Sequence, residues 1–126
     1  MKFILTIAII LFISVNLSAQ NEPDFKMVQY YFVELIRNND RPELDSASVM
    51  EIQKGHMDNM KVMAEAGKLL CAGPFGDEHG GGIWILKTET YEEAQKLCES
   101  DPAVINNRLL YKIRPWWTSE GTFTSE

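Results

Sequence analysis

The side chains best suited to reactive chemistry in this chain are two histidines and two cysteines. His56 falls in EIQKGHMDNMKVMAEAGKLLCAGPF, residues 51–75, where apolar positions recur at helical spacing. A helix there sets Val49, Ile52, His56, Met60 and Met63 on one face at about 100° per residue, with Lys54, Asp58 and Lys61 pointing elsewhere. An imidazole on an inward face is either a core histidine bonded to a carbonyl or a general base over a pocket, and periodicity leaves both open. His79, in GDEHGGG, reads as a solvated loop residue. It has no third ligand at a diagnostic spacing to join it and His56, so no metal site is expected. Cys71 has no evident base beside it to make it a nucleophile. Phosphate loops, dinucleotide fingerprints, paired catalytic carboxylates and a Ser/His/Asp order are all missing from the sequence, and no cofactor is expected.

The elements that position these residues can be read from pattern. FKMVQYYFVELIR, residues 25–37, is a strand apolar on both faces. A polar loop, residues 38–48, is interrupted by Pro42 and ends in candidate N-caps, with Ser48 and Glu51 spaced as a capping box. The helix bearing His56 runs to about Ala66, with Gly67 as a left-handed stop. LLCAGPF is a second strand ended by an open Gly73-Pro74 turn, and GIWILKTE a third. Thr90 and Glu93 open a second helix whose inward face carries Ala94, Leu97 and Cys98, and Asp101-Pro102 breaks it. RLLYKIRPWW is the fourth strand, residues 108–117. Gly67-Lys68-Leu69-Leu70 and Asn107-Arg108-Leu109-Leu110 echo one another where each helix hands over to a strand.

The order β-α-β-β-α-β is ferredoxin-like, an α+β fold with two helices on one face of a four-stranded antiparallel sheet. Right-handed crossovers give the strand order 4-1-3-2, with the first helix over strands 3 and 2 and the second over strands 1 and 4. Cys71 and Cys98 then lie too far apart for a disulfide, and both thiols are expected to be buried. The same layout brings the first loop, Gly73-Pro74 and Asp101 to one end of the domain, the corner that His56 faces. One imidazole, one carboxylate and a glycine-rich flap have the parts of a general-base site, the carboxylate orienting the imidazole.

The start of the chain, MKFILTIAIILFISVNLSA, reads as a secretory signal over residues 1–19: one Lys, an uncharged apolar run, then small residues. The run is short for a bilayer, which needs roughly 20 residues. Export to the periplasm or the extracellular space is therefore expected, with no stable membrane association after cleavage. The rest of the chain divides into one domain over residues 20–117 and a polar C-terminal tail over 118–126, expected to be unstructured. Losing Lys2 takes the formal charge from −6 to −7, which argues against nucleic acid as a partner.

Set in that order, YYFVELIR, GHMDNMKVMAEAGKLLCAGPF, GGIWILKTETYEEAQKLCESDPAV and RLLYKIRPWW resemble the YciI-like, or YCII-related, family of dimeric α+β barrels. The resemblance implies an active site built on His56 and Asp101, and a homodimer that covers the open sheet face. Members have been linked to dehydrochlorination of a chlorinated hydroxyhydroquinone, and the wider set of dimeric α+β barrels includes cofactor-free oxygenases and isomerases, which implies cofactor-free chemistry. The chain departs from usual members in its export signal, long first loop and polar tail. Two functions arise as expectations. One is a lyase or isomerase in which His56 takes a proton, Asp101 orients it, and the Gly73-Pro74 backbone holds the developing oxyanion. The other is a dimeric periplasmic module that binds or senses a small molecule in the same cleft without chemistry.

Overall fold

A computed structural model describes residues 25–123. Residues 1–19, where an export signal is expected, residues 20–24 and residues 124–126 lie outside the described residues. Seven elements follow one another: β1 (Met27–Arg37), α1 (Ser46–Glu65), β2 (Leu69–Pro74), β3 (Gly82–Leu86), α2 (Tyr91–Glu99), α3 (Pro102–Ile105) and β4 (Leu109–Ser119). The sheet runs β2-β3-β1-β4 with every neighbouring pair antiparallel, which is the order expected from right-handed crossovers.

Alternation along β1 divides the sheet's two faces. Tyr31, Val33 and Leu35 are buried beneath the helices, with Trp84 and Leu86 of β3 opposite them in register. Met63 of α1 and Ala94 and Cys98 of α2 complete this core. On the far face, Phe32 stands between Ile85 and Arg114, and Ile36 lies beside Leu110. No helix of the described residues packs there.

Several ends differ from the pattern reading. The α1 cap is Asp45 rather than a Ser48–Glu51 box: its carboxylate accepts both the Ser48 amide and the Ser48 hydroxyl at 2.9 Å. Thr90 does cap α2, taking the Glu93 amide at 3.1 Å, while the Glu93 carboxylate reaches back to the Glu89 amide. The left-handed echo is real: Gly67 has φ of 69° and Asn107 has φ of 53°, each just ahead of a strand. Gly73-Pro74 is not an open turn, because both residues belong to β2 and pair with Ile83 and Gly82. Nor are residues 118–123 a loose tail. β4 continues to Ser119, and Phe123 packs edge-on against Tyr30 and Trp116. Among the described residues no helix is long and apolar enough to cross a membrane.

Candidate active site

The histidine helix meets the short third helix at a glycine. A Cβ on Gly55 would stand 3.0 Å from the Pro102 ring, so the missing side chain lets α3 approach α1 closely. That approach brings Asp101, the N-cap of α3, to the next residue along α1. His56 Nδ1 lies 2.9 Å from Asp101 Oδ1, and both residues are buried. The same carboxylate oxygen accepts the Ala103 amide at 2.9 Å, while Oδ2 accepts the Asn59 side-chain amide at 2.8 Å. Capping the helix and holding the histidine are thus one job for Asp101.

These bonds decide the electrostatics. Burial pushes the Asp101 carboxyl up, but the bonds from His56, Asn59 and the Ala103 amide outweigh it and hold the group below its ordinary value. An ionised carboxylate only accepts, so Nδ1 of His56 carries a proton. In the neutral ring the lone pair then sits on Nε2, which has no protein partner and is not sealed from solvent. The other face of the ring is set by Trp84, stacked on the imidazole with centroids 5.7 Å apart and planes 17° off parallel. Trp84 is itself pinned by its indole N–H, which donates to the Met60 sulfur at 3.1 Å.

His56 opens onto a cavity of about 440 Å³ between α1 and the β2–β3 edge. The helix supplies Gln53, Met57 and Met60; the strands supply Gly73, Pro74, Gly82 and Trp84, and Gly81 stands just ahead of β3. Two of the glycines are required by space. A Cβ on Gly81, whose φ is 80°, would collide with the Leu35 carbonyl, and one on Gly82 with the Gly73 carbonyl.

All four residues singled out from sequence therefore converge: His56, Gly73 and Pro74 line one cavity, and Asp101 stands behind the imidazole. The Gly73-Pro74 segment differs in kind from its expected role. Pro74 has no N–H, and the Phe75 amide beyond it already donates to the Gly81 carbonyl at 3.1 Å. His79 is apart, lining a separate cavity with Asp77 and Glu78. Among the described residues no group of three His, Cys, Asp or Glu side chains is placed to hold a metal ion. Cys71 and Cys98 are both free thiols. Cys98 is buried as expected, and burial beside Asp101 and Glu99 pushes its thiol up to about 12. Cys71 is exposed, contrary to expectation, because it sits on edge strand β2 and shares Ile85's face of the sheet.

Three participants were not legible in advance. Asn59 follows His56 by three positions, a spacing that puts both on one side of the helix, and that spacing was the available signal. Trp84 reads as an ordinary core residue in a strand, and Gly55 as a weak point in a helix.

No curated protein matches the chain. Among solved structures it is similar to the 5-chloro-2-hydroxyhydroquinone dehydrochlorinase TftG of Burkholderia phenoliruptrix AC1100, determined in complex with 2,5-dihydroxybenzoquinone. The TM-score is 0.51 and the identity 17%, over 68% of this chain and 92% of that one. At that identity the likeness bears on the fold. Residues 31–117 match the model of the YCII-related domain, and the chain belongs to that family.

Proposed function

We propose that the protein is a cofactor-free lyase or isomerase that processes a small molecule in the His56 cavity. The observation that carries this reading is the His56–Asp101 pair: a buried carboxylate fixes the proton on Nδ1 and leaves Nε2 facing a cavity. In a lyase step, Nε2 takes a proton from the substrate. The electron pair so released forms a new double bond and expels a leaving group with its own pair from the neighbouring atom. Asp101 stabilises the imidazolium, which returns its proton to solvent as product leaves. The dehydrochlorination named for the similar structure is an elimination of this kind. Gly73 and Pro74 form the wall against which the ligand lies. Trp84 holds the ring's orientation.

Two further parts belong to this proposal. The apolar residues on the far sheet face support a homodimer, since an uncovered face of this kind exposes a large apolar patch. Residues 1–19 support export to the periplasm or beyond.

The test is turnover of a panel of chlorinated hydroxyhydroquinones and small aromatic acids, read as halide or proton release. His56→Ala should lower the rate by about 10²–10⁴ with an unchanged circular dichroism spectrum, the range typical of a lost general base. A folded H56A protein that keeps the wild-type rate would remove His56 from the chemistry. Ligand-dependent stabilisation without product would identify a binding module instead.

A further inference from the structure

Beside the His56 cavity lies a second one of about 290 Å³, and three of the chain's four arginines line it: Arg37, Arg41 and Arg108. They come from three places: the end of β1, the loop between β1 and α1, and the residue before β4. The two cavities share Gln53, Gly81 and Leu109, so they adjoin along one wall.

Two of the guanidinium groups are held by the main chain. Arg41 Nη1 donates to the Asn38 carbonyl at 3.1 Å, and Arg108 Nη1 to the Pro42 carbonyl at 3.3 Å. The loop is in turn tied to the strand it faces, the Asn38 amide donating to the Arg108 carbonyl at 3.0 Å and its side chain to the Asn107 carbonyl at 2.8 Å. Among the described residues none of the three arginines has a carboxylate within 4.0 Å, although the chain carries 18 acidic residues against 12 basic ones. Glu34, Asp77 and Glu78 line a different cavity, which shares only Arg37 and Gly80 with this one. Three neighbouring cations without counter-charge repel one another, and a guanidinium presents five N–H groups in a fork matched to an oxyanion.

We propose that the arginine cavity is an anion subsite of the His56 site. It takes a carboxylate or phosphoryl group on the ligand, while the rest of the molecule lies along Met57, Met60 and Trp84. This rests on the reading of the His56 cavity as a small-molecule site and narrows its substrates to acids. The polar first loop, which carries Arg41, then acts as a selector of charge rather than as a spacer.

Benzoate, phenyl phosphate and phenol make the test, since the three share a ring and differ in charge. Each is titrated into the full-length protein while thermal stability and the His56 ring resonances are followed. Benzoate, phenyl phosphate or both should stabilise the protein at concentrations where phenol does not, and added salt should weaken the effect. Comparing the two anions identifies which oxyanion the site prefers. Arg41→Gln with Arg108→Gln should weaken the preferred anion roughly tenfold or more, as expected for lost hydrogen bonds to a charged group. Should R108Q fail to fold for want of its Pro42 contact, R41Q alone carries the comparison. Equal stabilisation by phenol and both anions, or wild-type anion binding in the arginine variants, overturns the proposal.

His56→Ala separates this inference from the one beneath it. Anion binding that persists in H56A supports the subsite, whatever happens to turnover. Turnover that depends on His56 but shows no preference for acidic substrates sinks the subsite and leaves the enzyme standing.

Discussion

Asp101 shows how two ordinary explanations of one residue can both hold. Asp-Pro after a helix is a usual way to end one turn and start another, and the Asp101 carboxylate does cap α3 through the Ala103 amide. Yet the same oxygen holds His56, and the second oxygen holds Asn59. Replacing Asp101 with Asn would set one amide N–H₂ against another donor, either Asn59 or His56 with Ala103. We expect Asp101→Asn to cost about 1–3 kcal/mol at neutral pH, the range for a buried donor left without an acceptor, measured by urea unfolding. Its pH dependence gives a second reading. Because the folded-state carboxyl is held below its ordinary value of 3.8, its contribution is complete above that value and is lost as pH falls through the lower folded value. D101N should therefore lose less stability than wild type on acidification, and parallel acid limbs would contradict the ionised pair. His56 and Asp101 could be found from residue type together with the family resemblance. Asn59 and Trp84 could not, because a helical amide and a strand tryptophan have commoner uses on a surface and in a core.

The elements were easier to read than their ends. Element order, the handover at Gly67 and Asn107, and the inward face of α2 all come from local rules that tertiary packing did not override. The α1 cap did not, since Asp45, Ser46 and Ser48 compete within four positions and a carboxylate can take the Ser48 amide and hydroxyl together. Reading Gly73-Pro74 as a turn failed because proline tolerates the last position of an edge strand. What makes that edge possible is Gly82, whose backbone lies against the Gly73 carbonyl. Gly82→Ala should push β2 and β3 apart and destabilise the fold by about 1–3 kcal/mol, the usual cost of overpacking. Thermal unfolding checks this, and an unchanged midpoint would mean that β2 yields freely.

At the scale of the molecule the uncovered sheet face carries the main unanswered contact. Light scattering should give twice the mass of one chain, and Cys71, exposed in the single chain and on that face, should report the same event. Its alkylation should slow as protein concentration rises, while Cys98 should react only after unfolding. A single-chain mass with Cys71 reacting at one rate throughout would leave the face bare. Apolar strands on both faces pointed to a sheet face left without a helix, although sequence reasoning placed Cys71 too deep, treating an edge strand as if both its sides were covered. The cavity itself has an asymmetry of a different order. On the sheet side much of its wall is backbone, at Gly73, Gly81 and Gly82, where two of the positions admit no side chain. On the helix side it is Gln53, Met57 and Met60, flexible residues with room to change. Divergence among descendants of this protein is therefore channelled: one wall is closed to mutation at Gly81 and Gly82, and new ligand preferences are most easily written on the facing helix, a turn at a time.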